Sequence, residues 1–359
     1  MKKIVTILGA RPQFVKAAVL SRIILQHKAI EEVIVHTGQH YDNNMSAVFF
    51  DDMDIPNPKY NLAVNGLSHG AMTGQMLEKI EVVLQKEQPQ AVLVYGDTNS
   101  TIAGALAAKK MHIKVVHVEA GLRSFNTKMP EEINRILTDR ISDLLLCPTQ
   151  KAINNLRQEG FENLDTRFVN CGDIMKEAVS YYGAQLGDKS TIINDLNLTE
   201  NKFVLATIHR PENTDDIHKL TSIFKALDAI NREYKVVLPL HPRTKKQLKE
   251  YKIKTEVTLI NPLGYFDMLA LQKNCKLIVT DSGGLQKEAY FNKKFSVITR
   301  TETEWVELVE NDFAKVVGSD YNKIIEAYNY FKDTKKSFDL PLYGTAVGQT
   351  IYNEIIKLL

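Results

Sequence analysis

The sequence predicts an α/β protein of two halves, each built on a parallel sheet. Three observations predict this. Short apolar runs recur along the 359 residues, separated by stretches with helical spacing. The runs are continuous rather than alternating, which suits strands buried on both faces. Polar, glycine-bearing segments follow the runs, where open α/β sheets hold their ligands. A chain of this length exceeds one ordinary core, so two domains are expected.

The elements follow in order. First-half strands are expected at residues 3–8, 32–36, 91–95, 115–118 and 144–147. Second-half strands are expected at 203–208, 236–240, 257–260, 277–280 and 295–298. Helical-period stretches between them complete βαβ units. The region 170–201 holds Gly172, Gly183 and Gly187, and the junction is placed near its start. The domains expected are therefore 1–169 and 170–344. In residues 345–359, Ile351, Ile355, Ile356 and Leu359 have the spacing of a last helix.

Composition excludes several classes. Forty-five basic residues against 43 acidic leave a net charge of +2, too balanced for a nucleic-acid or membrane-surface protein. No apolar run is long enough to span a bilayer. The opening MKKIVTILGARP has an apolar run of five residues followed by Gly9-Ala10-Arg11-Pro12, a first strand rather than a signal peptide. Cys147, Cys171 and Cys275 have no metal or redox spacing and read as reduced core thiols of a cytoplasmic protein.

The chemistry gathers after the strands. Val115-Val116 leads into His117-Val118-Glu119-Ala120-Gly121-Leu122-Arg123, and Pro130-Glu131-Glu132-Ile133-Asn134-Arg135 follows. Carboxylates beside arginines suit proton transfer on an anionic substrate. Asp97, Glu119 and Glu131 are the acid–base candidates. Crowding and burial would raise one carboxyl while arginines hold another ionised. The plainer reading makes Asp97 and Glu131 or Glu132 helix caps, and Glu132 suits that role. Arg11 and Lys16 after the first strand supply positive charge, with an ordinary surface ion pair as the plain alternative. GxGxxG is absent there, which argues against a bound dinucleotide.

In the second half, His209-Arg210-Pro211-Glu212-Asn213 and His241-Pro242-Arg243 follow strands. The histidines lack metal-ligand spacing, so contacts to phosphate or sugar are expected and no metal. Asp281-Ser282-Gly283-Gly284-Leu285-Gln286-Lys287-Glu288 reads as strand, Gly-rich turn and helix. A helix N-terminus there suits a phosphate, and Glu288, about one turn in, suits a ribose. The plain reading is a βα turn capped by Asp281 or Ser282.

Together GARPQFVKAA, TGQH, YGDTNST, HVEAGLRSFN, PEEINR, HRPEN, LPLHPRT and TDSGGLQKEA resemble the non-hydrolysing UDP-N-acetylglucosamine 2-epimerases, in order from Gly9 to about Leu308. GARPQF and RSFN-x-x-MPEEINR are most similar to a branch acting on UDP-2,3-diacetamido-2,3-dideoxyglucuronic acid. The resemblance implies a GT-B fold, with two Rossmann-like domains, an interdomain cleft and a C-terminal helix returning to the first domain. It also implies a homodimer that needs neither cofactor nor metal. Its reaction eliminates UDP to a 2-acetamidoglycal and re-adds it after inversion at carbon 2. By resemblance, Asp97, Glu119, Glu131 and His209 are catalytic. Arg11, Lys16, Arg123, Arg135, Arg210, His241, Ser282, Gly283, Gly284 and Glu288 bind substrate. Which carboxylate takes the proton stays open.

Two departures stand out. The family's QHRxM reads Gln39-His40-Tyr41-Asp42-Asn43-Asn44-Met45, without the arginine tied to allosteric activation. The usual TERPE reads Thr303-Glu304-Trp305-Val306-Glu307. The leading reading is UDP-N-acetylglucosamine to UDP-N-acetylmannosamine for surface polysaccharide. The uronate-specific sister is the alternative, with Arg123 or Lys128 to pair a carboxylate at carbon 6. A hydrolysing epimerase, a GT-B glycosyltransferase and a non-catalytic sensor are further readings.

Overall fold

The computed structural model describes residues 1–39, 53 and 55–359. The expected departure at His40–Met45 lies outside the described residues. The chain divides into two compact units, Met1–Ala178 with Pro341–Leu359, and Val179–Leu340.

The first unit carries β1 (Lys2–Leu8), β2 (Ile30–His36), β3 (Tyr60–Asn61), β4 (Ala91–Tyr95), β5 (Lys114–Val118), β6 (Leu144–Cys147) and β7 (Arg167–Asn170). They form one parallel sheet in the order β3-β2-β1-β4-β5-β6-β7. Every residue of β4 and β6 is buried, as continuous apolar runs require when helices cover both faces. Val5, Ile7, Val92 and Val94 pack with Met76, Ile80 and Leu84 of helix His69–Glu87 and with Ala103 and Ala107 of helix Asn99–Lys110. β3 and β7 have no counterpart among the expected strands. Both are short, half-exposed edges with little apolar signal.

The second unit carries β8 (Phe203–Thr207), β9 (Lys235–Pro239), β10 (Thr258–Ile260), β11 (Ile278–Thr280), β12 (Ser296–Ile298) and β13 (Ala314–Val316). Their order is β10-β9-β8-β11-β12-β13, again all parallel. Two parallel α/β units in one chain are the GT-B plan.

The division falls later than residue 169 because the next residues bond into the first sheet. Cys171 N donates to Cys147 O at 3.0 Å, and Asp173 N donates to Tyr343 O at 3.1 Å. Helix Val347–Leu358 belongs to the first unit. It buries Val347, Ile351, Tyr352 and Ile355, stacks Tyr352 on His27 and takes Lys114 Nζ on Leu358 O at 2.7 Å. Ile356, expected on its apolar face, is exposed. Among the described residues, no helix is long and apolar enough to cross a membrane.

Candidate active site

Strand order reverses between β1 and β4, the switch point at which open parallel sheets hold ligands. The turns after these strands are tied together by one buried amide. Gln13 Oε1 accepts the N–H groups of Gly9 and Ala10 at 2.8 and 3.0 Å. Its Nε2 donates to Tyr95 O at 2.7 Å and to the hydroxyls of Thr98 and Thr101 at 3.0 Å. Helix Arg11–His27 therefore starts in a fixed register over the switch point, with half-buried Arg11 as its first residue.

One turn further along that helix, buried Lys16 pairs with Glu119 just after β5. Glu119 has φ 73°, a left-handed conformation costing a non-glycine residue about 1–3 kcal/mol. Its N–H and that of Ala120 both reach Leu146 O, at 3.0 and 3.2 Å, and hold the bend. A Cβ on Gly96 would lie 3.4 Å from Glu119 Oε2 and 3.7 Å from Lys16 Nζ. The turn that carries Asp97 thus abuts the Lys16–Glu119 pair.

Asp97 Oδ2 accepts from Arg135 Nη2 at 2.5 Å, and its carbonyl accepts from Asn134 Nδ2 at 2.9 Å. Burial pushes the Asp97 carboxyl up, but Arg135 and Lys16 outweigh it and hold the group below the usual carboxylate range. Glu131 sits half-buried in the first turn of helix Pro130–Ile141, with no hydrogen bond or ion pair among the described residues. Glu132 does not cap that helix. Fully buried, it accepts the N–H groups of Ser124 at 3.0 Å and Phe125 at 2.8 Å, and Arg135 Nη1 at 2.9 Å. Burial raises its carboxyl, and these donors more than reverse that.

Behind these groups lies a second, wholly buried layer. His117 Nδ1 meets Asp139 Oδ1 at 2.7 Å and Nε2 meets Gly96 O at 2.7 Å. A carboxylate and a carbonyl thus bracket the ring. Asp139 Oδ2 also takes Gly121 N at 3.1 Å and Arg123 Nη1 at 2.7 Å. Burial pushes the Asp139 carboxyl up, and His117 and Arg123 bring it below its ordinary value.

Two arginines assigned to substrate by sequence are turned inward instead. Arg123 is buried and grips Glu159 through two nitrogens at 2.7 and 2.8 Å, while Nη1 serves Asp139 and Leu122 O. Four of its five N–H donors are thereby engaged inside the unit, and its side chain is 1% exposed. Lys128 remains exposed on the loop before Pro130. Arg135 directs its terminal nitrogens at Asp97 and Glu132.

In the second unit, strand order reverses between β8 and β11. Asp281, fully buried after β11, accepts from His209 N at 3.0 Å, Arg210 N at 2.9 Å and Asn213 Nδ2 at 3.1 Å. Asn213 also donates to Thr299 O at 2.9 Å, so one carboxylate binds the loops after β8, β11 and β12. The His209 and His241 rings lie 5.6 Å apart, tilted by 35°. His241 caps helix Pro242–Glu250 by accepting Arg243 N on Nδ1 at 3.2 Å, which leaves Nε2 to carry the proton. Burial lowers both imidazoles below the ordinary histidine value. Arg210 and His241 add to this at His209 against Asp281, and Arg243 adds to it at His241.

Ser282 precedes helix Gly283–Phe291 and makes no side-chain cap, so the first turn offers backbone N–H groups. A Cβ on Gly283 would lie 3.6 Å from Arg300 Nη1 and 3.9 Å from Arg210 Nη2. Arg300 is buried and paired with Glu304 at 3.0 and 3.1 Å. Glu288 accepts from Gln272 Nε2 at 2.9 Å. The Glu304 carboxylate lies 3.7 Å from the same Gly283 Cβ position, so the helix start is flanked by two guanidinium groups and one carboxylate. Among the described residues, no group of three His, Cys, Asp or Glu side chains has metal-site geometry.

Sequence reasoning gave no role to Gln13, His117, Asp139 and Arg300, and it read Asp281 only as a possible helix cap. His117 and Asp281 each carried a visible signal, a polar residue within or just after a buried apolar run.

A family model described as UDP-N-acetylglucosamine 2-epimerase matches residues 22–347. The chain is 50% identical over 343 residues to a UDP-2,3-diacetamido-2,3-dideoxy-D-glucuronate 2-epimerase of Pseudomonas aeruginosa, covering 95% of this chain and 96% of that one. It is 40% identical over 361 residues to a UDP-N-acetylglucosamine 2-epimerase of Methanocaldococcus jannaschii, covering 97% of each. The crystal structure of a Methanocaldococcus jannaschii UDP-GlcNAc 2-epimerase in complex with UDP-GlcNAc and UDP superposes with a TM-score of 0.91, at 38% identity and 99% coverage of both chains.

Proposed function

The chain belongs to the UDP-N-acetylglucosamine 2-epimerase family, and from that premise we propose that it inverts carbon 2 of a UDP-2-acetamido sugar without net hydrolysis. The observation that carries the reading is the meeting of the Asp97 turn and Glu119 at the β1/β4 switch point, each carboxylate held against a buried cation.

In this mechanism one carboxylate of the set Asp97, Glu119 and Glu131 takes the proton from carbon 2 as the bond from carbon 1 to UDP breaks. A 2-acetamidoglycal results. A proton then returns to carbon 2 from the opposite face while UDP re-adds at carbon 1. Atoms and charge balance, and no oxidant enters. The proton at carbon 2 is weakly acidic, so stabilising the departing diphosphate must carry much of the barrier. Arg11, Lys16 and Arg210 supply positive charge for that. The Ser282–Gly283–Gly284 turn supplies backbone donors, Glu288 takes the ribose, and His209 and His241, neutral at physiological pH, act as polar partners.

UDP-N-acetylglucosamine is the proposed substrate and UDP-N-acetylmannosamine the product, supplied to a surface polysaccharide. A second reading, the diacetamidouronate, rests on the 50% identity to an enzyme of that name. Lys128 is then the basic residue to test, since Arg123 is internally engaged. We place the enzyme in the cytoplasm, in keeping with three buried free cysteines. We also propose a homodimer, for which the exposed Ile133, Ile136 and Leu137 on helix Pro130–Ile141 offer an apolar stripe.

Proton NMR in heavy water tests the function. Deuterium at carbon 2 with accumulating UDP-N-acetylmannosamine is expected from UDP-N-acetylglucosamine. Turnover of only the diacetamidouronate selects the second reading. Release of UDP with free sugar overturns the non-hydrolysing mechanism, and no exchange with either substrate overturns the epimerase assignment.

A further inference from the structure

Trp305 is the one tryptophan of the chain, and the proposed reaction does not use it. It is 4% exposed and stands at the start of helix Val306–Glu310. Its indole Nε1 donates to Gly283 O at 2.9 Å. Its backbone N–H donates to Thr303 Oγ1 at 3.1 Å, and that hydroxyl donates to Gln286 Oε1 at 2.6 Å. Lys287 Nζ, on a side chain that is itself buried, lies 4.4 Å from the centroid of the indole ring. Gly283, Gln286 and Lys287 all belong to helix Gly283–Phe291. The segment 303–305 therefore grips the first turns of that helix at three points.

The grip answers a physical need. Two consecutive glycines open the helix, and each loses more backbone freedom on ordering than any other residue would. The first-turn N–H groups have no partner within the helix to hold their direction. The carbonyl of Gly283 and the N–H of Gly284 share one rigid peptide plane. A donor fixed on that carbonyl fixes the direction of that N–H. The ring also faces the Lys287 ammonium, a favourable contact when both are desolvated.

We propose that Trp305 is the positioning residue of the diphosphate turn, holding the Gly283–Gly284 peptide so that its N–H is aimed before the nucleotide arrives. This rests on the reading that Ser282–Gly284 takes the UDP diphosphate. Trp305 touches no reacting atom, so its contribution falls on binding rather than on the chemical step.

The test is calorimetric titration with UDP, with steady-state kinetics, on the full chain and its Trp305→Phe variant. Phenylalanine keeps an aromatic ring at the position and removes the donor together with the second ring of the indole. Expected are weaker UDP binding and a raised KM, each by about three- to tenfold for one lost hydrogen bond, with kcat retained. Equal binding and equal KM overturn the proposal, as does a loss confined to kcat. Should the variant unfold at a lower temperature, the unaltered protein decides. As the sole tryptophan, Trp305 should change its emission saturably as UDP is added, and an emission that stays constant while calorimetry records binding overturns the proposal. Failure of the unaltered protein to bind UDP at all overturns the site reading itself, a result distinct from the others.

Discussion

Arg135 Nη2 stands 2.5 Å from Asp97 Oδ2, and its Nη1 stands 2.9 Å from Glu132 Oε2. One guanidinium thus ties the turn after β4 to the anchor of the Ser124–Phe125 turn. The first prediction follows from this bridge. Burial raises the Asp97 carboxyl, and Arg135 is the strongest influence lowering it. In Arg135→Gln burial prevails, Asp97 keeps its proton to higher pH, and the acid limb of the kcat–pH profile moves up. The same depressed carboxyl stabilises the fold above the usual carboxylate range and loses that contribution as pH falls through its folded value. Profiles of both proteins check this, and an unmoved acid limb counts against Asp97 as the titrating group.

Arg123 is predicted to matter for folding and not for substrate. Arg123→Met leaves Asp139 and Glu159 both without their arginine. Breaking such a buried pair costs about 3–5 kcal/mol. Urea unfolding should show that loss, while KM of the remaining folded protein stays unchanged. A raised KM with full stability would return Arg123 to the substrate.

Gly9 is predicted to tolerate no side chain. A Cβ there runs into Ser100 Oγ and Thr37 Oγ1, which are hydrogen-bonded to each other at 2.8 Å and buried. Gly9→Ala should destabilise by about 1–3 kcal/mol, the cost of overpacking. Gly187→Ala, where a Cβ meets nothing within 4 Å, is the control and should unfold with the unaltered protein. Thermal or urea denaturation separates the two.

The paired histidines set a pH response of the opposite cause. Burial disfavours the charged forms of His209 and His241. Below the ordinary histidine value the unfolded chain binds protons that the folded chain refuses, so stability falls as pH drops through that window. Arg210, Arg243 and Asp281 face these rings, and only Asp281 opposes the shift. His209→Gln should make stability less dependent on pH there while lowering kcat. Chemical denaturation over a pH series measures it, and an unaltered slope would mean that His209 does not set it.

Much of the fold was legible because buried parallel strands must be apolar on both faces. β4, read at 91–95, coincides with its observed bounds, and β6, read at 144–147, does too. β3, β7 and β13 were not legible, because an edge strand needs little apolar sequence. At the site, Asp97, Glu119 and His209 stood out as charge at strand ends. Direction was hidden. Arg123 follows Glu119 by four residues in the same loop, yet it points into Asp139 and Glu159. Gln13 was hidden for another reason. Its partners lie as far away as Thr101, 88 residues along the chain, and an amide shows no charge pattern.

The first unit is closed by residues from both ends of the described chain, and this governs the order in which the molecule can be made. Val179–Leu340 is one continuous stretch and can complete its folding as soon as Leu340 clears the ribosome. Residues 1–178, synthesised earlier, must wait for helix Val347–Leu358 to cover helix Arg11–His27 and seat Leu358 O on Lys114. The half translated first thus depends for its completion on residues translated last. A nascent chain halted at Leu340 would hold a complete second unit beside a first unit that still lacks its covering helix.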